Sequence, residues 1–332
     1  MSTLLTPLSF AGLTVRNRIA MPPMWSGKAT PDGFVTDAIV EYHRLRAAAG
    51  CGLVVVEHAF VHPQGRHSGT QLGVHGDACV PGLTRLASAI RAEGAVACLQ
   101  ISHAGSRTSS KVTGGLRPLG PSAIRHRREP HGEVPGAATP EQIAGVASAF
   151  ADAAGRAQQA GFQAVELHAA HGFLLSQFLS PLTNLRDDEF GGDEGRRGRA
   201  TLDVLAAVRD LAGASFPVMV RLGAHDEYPG GLELEAACRM AQRLATAGAA
   251  LIDVSGGLAG SDDPGRGPGY FVPYAAAIKK VVSVPVMVAG GIAEPAYADR
   301  IVRNGQADIV GVGRAMLEDP EWARKAIAEL GS

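Results

Sequence analysis

A chain of 332 residues with 46% hydrophobic and 19% charged side chains can bury a large core, as one α/β barrel or two smaller domains. A formal net charge of −1 gives no electrostatic reason to expect nucleic acid or an acidic membrane surface as partner. No apolar run reaches the length of a bilayer span, and the first 18 residues lack the basic start and apolar core of a secretion signal.

Eight short apolar runs recur along the chain: Arg18–Pro22, Leu53–Glu57, Ala95–Ser102, Ala164–His168, Pro217–Leu222, Leu251–Ser255, Val284–Ala289 and Asp308–Val312. Their continuous apolar character suits strands covered on both faces, as in a parallel sheet. Helical patterns separate them, over Thr36–Gly50, Pro81–Gly94, Pro140–Gly161, Arg196–Gly213, Glu233–Gly248, Tyr274–Val282, Pro295–Gly305 and Pro320–Leu330. Several end in glycine, as helix C-termini prefer. Thr139-Pro140-Glu141-Gln142 reads as an N-cap, a first-turn proline and a capping-box glutamine. Eight strand–helix units in alternation predict a single (β/α)8 TIM barrel over residues 1–332, with no second domain left to place.

One connection is long. His103 to Ala138, rich in Gly, Pro, Ser and Arg, reads as an excursion over the barrel mouth that would act as a lid, or else as a surface loop without a catalytic part. Its basic group, Arg125, His126, Arg127 and Arg128, reads as solvated surface. The four cysteines, Cys51, Cys79, Cys98 and Cys238, stand singly with no CxxC spacing. That argues against disulfides, zinc or an iron–sulfur centre and fits a reduced, cytoplasmic setting.

Polar residues at the C-terminal ends of the strands are the candidate site. The fourth strand delivers His168 and His171, for which a pair of core histidines is the plain alternative. As metal ligands they lack a nearby third, so no metal is expected. Gln100 offers an amide that can donate and accept, or a satisfied buried amide. Arg221 places a permanent cation where an anion is needed, either a ligand or a buried partner such as Glu57. Gly290 and Gly291 follow strand seven, while Gly313 and Arg314 follow strand eight, where barrels seat phosphate on backbone N–H groups. Arg314 adds a charged fork.

The run from His168 through Gly172, HxxHG, followed by FLSPLTNLRDDEFGG up to Gly192, resembles the signature of the old yellow enzyme family, the FMN-dependent ene-reductases. The resemblance covers nearly the whole chain. It implies FMN as cofactor and NADH or NADPH as reductant, with nicotinamide and substrate taking turns in one pocket. Hydride would pass from the flavin to the β-carbon of an activated alkene, an α,β-unsaturated carbonyl or nitro compound. His168 and His171 would hydrogen-bond the substrate's oxygen. Gly291, Gly313 and Arg314 would grip the phosphate, Gln100 would meet the pyrimidine edge, and Arg221 would face the N1/C2=O side. Pro22, Pro23 and Met24 match the family's MPPM element along the isoalloxazine. A homo-oligomer is also implied, although no interface patch stands out.

The chain departs from that pattern at several places. Phe173 stands where a proton-donating tyrosine is usual, and Trp25 where Cys or Thr tunes the flavin. His58 replaces a small residue near the flavin, and Gly195 to Arg199 replaces ENRxR. Solvent, Tyr228, His225 or Tyr270 are the candidate proton donors, and the PGYxVP segment favours Tyr270. Trp25 reads either as a wall that stacks on a flat ligand or as packing under the rim. The leading expectation is an FMN-dependent NAD(P)H oxidoreductase acting on activated C=C bonds. A flavin-dependent dehydrogenase or demethylase of an amine or ring substrate, and a flavin-binding protein without efficient turnover, are the alternatives.

Overall fold

The computed structural model describes residues 2–261 and 267–332. Eight strands close into a parallel barrel: β1 (Ile19–Met21), β2 (Leu53–Phe60), β3 (Val96–Ser102), β4 (Ala164–Ala169), β5 (Val218–Gly223), β6 (Leu251–Ser255), β7 (Val286–Ala289) and β8 (Ile309–Gly311). They neighbour one another in chain order, and β8 pairs with β1 to complete the ring. All eight apolar runs of the sequence became barrel strands. The cause is visible in their burial: β3, β4, β5 and β6 are buried at every position, between an interior layer and the helices outside.

The outer ring consists of α1 (Asp37–Ala48), α2 (Val80–Ala92), α3 (Pro140–Gln159), α4 (Arg199–Ala212), α5 (Leu234–Thr246), α6 (Val272–Lys279), α7 (Pro295–Arg303) and α8 (Trp322–Gly331). Both halves of the expected capping box form at α3, Gln142 N donating to Thr139 Oγ1 and Thr139 N to Gln142 Oε1. After α3 the chain turns at Gly161 with φ of +85°. The fourth helical pattern is broken at Gly198, leaving a single turn, Glu194–Arg197, ahead of α4. A Cβ there would come within 2.8 Å of Met240 Sδ and 2.7 Å of Arg243 Nη1, so glycine lets α5 lie close.

One element was not anticipated. Leu8–Phe10 and Leu13–Val15 form a hairpin whose two loop residues, Ala11 and Gly12, both have positive φ (45° and 79°). Phe10, Leu13 and Val15 join the buried cluster of Leu53, Val55, Val96, Cys98, Ala164, Met219, Leu251, Met287 and Ile309. These are inward-facing residues near the starts of the strands. The hairpin therefore plugs the N-terminal end of the barrel and leaves the opposite end for chemistry.

The long connection is folded, not loose. Leu119–Gly120 pairs with Gly136–Ala137 in a short parallel ladder. Of its basic group, Arg125, Arg127 and Arg128 are exposed as expected, but His126 is buried beside Gly172, against the reading of all four as solvated. Among the described residues no helix is long and apolar enough to cross a membrane.

Removing the α3 cap by Thr139→Ala leaves an N–H of the first turn unpaired. It is expected to lower stability by about 1 kcal/mol. Equilibrium urea unfolding checks this as a lower midpoint at unchanged slope.

Candidate active site

Moving up the barrel interior from the plugged end, the apolar layer gives way to a polar one. β3 contributes Gln100, β4 Glu166 and His168, β5 Arg221, and β6 Asp253 and Ser255. Register places Gln100 beside Glu166, His168 beside Arg221, and Arg221 beside Asp253. Gln100 Nε2 donates to Glu166 Oε1 at 2.8 Å. Arg221 Nη1 lies 3.3 Å from Asp253 Oδ2, with Glu166 and Asp253 both wholly buried. Arg221's acidic partner is thus Asp253. Glu57, the partner named from sequence, instead accepts the Ser26 N–H at 2.9 Å and anchors the loop after Met24. Burial pushes the Glu57 carboxyl up to about 7. It also pushes Glu166 and Asp253 up, Glu166 further because Asp253 lies nearby.

Both histidines stand at the top of this layer. His168 is buried, and its ring stacks on Phe173 at 4.4 Å and meets His171 edge-on at 5.0 Å. His171 has φ of +57°, a left-handed conformation that costs a non-glycine residue on the order of 1 kcal/mol or more. Two backbone contacts hold it there: its N–H donates to Gly256 O at 3.0 Å, and its carbonyl accepts from Arg107 Nη1 at 2.8 Å. Burial drives both imidazoles well below the usual histidine range, with His171 next in importance for His168 and Arg221 for His171. Both are therefore neutral donor–acceptor groups at pH 7.

A cavity of 320 Å³ opens above Arg221 and Ser255, and many of the residues singled out in the sequence meet on its wall, although His168, His171, Gln100, His58, Pro23 and Trp25 do not line it. Pro22 and Met24 line it from β1, Arg221 and Ser255 from below, Gly290 and Gly291 after β7, and Gly313 and Arg314 after β8. The glycines are there for space. Gly291 has φ of +64°, and a Cβ on Gly313 would sit 2.9 Å from Met24 Sδ. The short helix Arg314–Glu318 starts without a side-chain cap, leaving its first N–H groups for an anion.

Tyr270 also lines this cavity. Its ring lies against Gly290 and Gly291, its hydroxyl donates to Ser261 O at 2.9 Å, and Arg314 Nη2 donates to it at 3.2 Å. The expected proton donor thus sits with the glycine loops. Trp25 is 50% exposed, so it does not pack under the rim, and its indole reaches over Gly27. Pro23 is partly exposed beside it. His58, at a register shift in β2, bonds Gln71 Nε2 through Nδ1 at 2.6 Å and joins the rings around Phe173. His67 completes that group, stacked on Phe173 at 5.4 Å.

The second half of the sequence motif has a structural part. Asn184 Nδ2 donates to Phe178 O and Phe190 O, folding the loop on itself. Arg186 ties it to the long connection through Pro121 O and Ala138 O. Sequence reading missed Glu166, Asp253, Ser255 and His67. For Glu166 and Asp253 the signal was present, since each is an ionisable residue inside an otherwise apolar run, as Arg221 is.

Which group would fit this mouth can be judged from its atoms. Arg221 Nε, Arg221 Nη1 and His168 Nδ1 are buried without a hydrogen bond, and the glycine cradle ends in an arginine. A flat, phosphorylated, electron-accepting cofactor suits such a barrel. The model of the NADH:flavin oxidoreductase / NADH oxidase family matches residues 3–331, and the chain belongs to that family. FMN is the family's cofactor, used with NADH or NADPH, and the residues present fit it. An NADH oxidase from Thermoanaerobacter brockii is 39% identical over 320 residues, 95% of this chain and 49% of that protein. The chain thus spans about half the length of that relative. An NADPH dehydrogenase from Geobacillus sp. is 37% identical over 330 residues, 99% of this chain and 95% of its own. The solved structure of an old yellow enzyme homologue from Zymomonas mobilis superposes with a TM-score of 0.87 at 27% identity, covering 98% of this chain and 93% of that one.

Gly291→Val adds a branched side chain at positive φ, where a Cβ already lies 3.0 Å from the Tyr270 ring. It is expected to weaken FMN binding to the apoprotein at least tenfold, read by quenching of FMN fluorescence. For Glu57 the folded pKa lies above the unfolded one. The unfolded chain therefore loses its proton first, and this group's contribution to stability falls as pH rises from about 4.5 to about 7. Glu57→Gln should flatten the melting temperature across that window relative to the parent protein.

Proposed function

We propose that this chain takes electrons from NADH or NADPH and reduces activated C=C bonds, in α,β-unsaturated carbonyl or nitro compounds. The observation that carries the reading is the pair of neutral imidazoles, His168 and His171, held next to Arg221 and Ser255, which line a glycine-cradled cavity. FMN bound there supplies hydride transfer between the nicotinamide and the substrate.

Gly290, Gly291, Gly313 and Arg314 hold its phosphate in this proposal. Pro22, Pro23, Met24, Trp25, Gln100 and His58 would hold its ring. Arg221 would offset the negative charge that the group gains on reduction. His168 and His171 donate to the substrate oxygen, on which negative charge grows as hydride arrives. Phe173 carries no proton to give, and Tyr270 is engaged with Arg314 and Ser261, so solvent protonates the α-carbon. The connection over residues 103–138, which touches the His171 turn through Arg107, serves as the lid. The partner is a small molecule, and four free cysteines suit a reducing, cytoplasmic compartment.

The test is the visible spectrum of the purified protein, followed anaerobically with NADH or NADPH and then with cyclohexenone. Bleaching and recovery on adding the enone are expected; bleaching without recovery assigns the flavin to another substrate class. His168→Ala and His171→Ala should each slow enone reduction about 10²-fold and weaken phenol binding while FMN stays bound. Unchanged turnover in both variants removes the histidines from the mechanism.

A further inference from the structure

Ser255, at the end of β6, joins the cofactor cavity to the imidazole pair. Its Oγ lies 2.7 Å from His171 Nε2 and 3.3 Å from Arg221 Nη2. The side chain is buried, at 1% exposure. A guanidinium has donors only, so the contact with Arg221 runs from Nη2–H to Ser255 Oγ. The hydroxyl's single proton is then left to give, and His171 Nε2 is the acceptor within reach among the described residues. A neutral imidazole that accepts at Nε2 carries its proton on Nδ1. His171 Nδ1 has no hydrogen-bond partner among the described residues and, unlike His168 Nδ1, is not sealed from solvent. The backbone makes the same connection, since the His171 N–H donates to Gly256 O, one residue past Ser255.

We propose that Ser255 is a positioning residue: oriented by Arg221, it fixes His171 as the Nδ1–H tautomer and leaves that N–H as the donor for a substrate oxygen. The last step rests on the role given to His171 in the preceding subsection, while the tautomer does not. The direction follows from pairing every group: Oγ has lone pairs enough to accept from both Arg221 and His171, but its own proton would then have no acceptor among the described residues, whereas donation to His171 Nε2 leaves none of the three unpaired. Without the hydroxyl, both tautomers of His171 become accessible, and the donor is present for only part of the time. Threonine retains the hydroxyl and alanine does not.

The experiment is ¹⁵N NMR of the FMN-loaded protein labelled at histidine, with the His171 signals assigned by their loss in His171→Gln. Two-bond couplings to the ring protons distinguish the two tautomers. The Nδ1–H form is expected in the parent protein and in Ser255→Thr, and a mixture in Ser255→Ala. The dissociation constant of a phenolic probe, 4-hydroxybenzaldehyde, should rise about tenfold in Ser255→Ala and return towards the parent value in Ser255→Thr. An Nε2–H form in the parent overturns the proposal, as does an unchanged His171 signal in Ser255→Ala. The parent spectrum decides the tautomer by itself should Ser255→Ala fail to keep FMN. If the tautomer is as stated but His171→Ala turns over enone normally, the function assigned to His171 fails and the role of Ser255 in fixing its ring stands.

Discussion

A guanidinium buried inside a barrel has to be answered, and Arg221 imposes that demand on its surroundings. Its side chain is 6% exposed, and the ion pair to Asp253 at 3.3 Å leaves two of its nitrogens without a hydrogen bond. Removing a cation from water is costly unless opposite charge and hydrogen bonds replace the lost hydration. One carboxylate does part of this. Glu166 lies on the adjoining strand, and burial together with Asp253 favours its keeping a proton, so the interior does not carry two negative charges against one positive. What remains is Nε and Nη1 without a hydrogen bond, on a side chain that lines the cavity. An electron-accepting ring that gains negative charge on reduction would meet that requirement, and the same residue reaches His171 through Ser255.

Geometry at the rim is held by backbone rather than by packing alone. His171 occupies a left-handed conformation, and contacts from β6 and from the long connection meet at that residue. Gly172 follows with φ of +71°, and any side chain there would collide with His126 from the same connection. Strain of this size persists only where the surroundings over-determine it. Further along, Asn184 closes the loop after the histidines on itself through Phe178 O and Phe190 O, and Arg186 clamps that loop to residues 121 and 138. The run from His168 to Gly192 thus has two tasks, two imidazoles at the mouth and a cassette that keeps the surrounding loops in place.

Much of the site was legible because the barrel's own rule makes it so: a polar residue late in an apolar strand faces the mouth. Arg221, Gln100 and His168 were found in this way, and Glu166 and Asp253 obey the same rule. Tyr270 could not be placed by it, because it precedes a helix, and where its hydroxyl goes depends on where the loops after β7 and β8 lie. Trp25 was equally undetermined, since the same indole can be buried or half exposed according to how closely the next segment folds over it. The hairpin at the N-terminal end escaped because Ala-Gly is a weaker turn signal than Asn-Gly, and its strands are three residues each.

What the sequence by itself determined is what periodicity and local chemistry decide. These are eight buried parallel strands, eight covering helices with the capping box of α3, and glycines at the loops after β7 and β8. Tertiary structure alone decided the partners. Arg221 pairs with Asp253 and not Glu57, Gln100 with Glu166, and His171 with Ser255, the first two between neighbouring strands and the third from the turn after β4 to the end of β6, in each case between residues far apart in the chain. The reason is geometric. Strand pattern fixes which way a side chain points, but the tilt and stagger of neighbouring strands fix which inward groups share a level, and that becomes known only when the barrel closes.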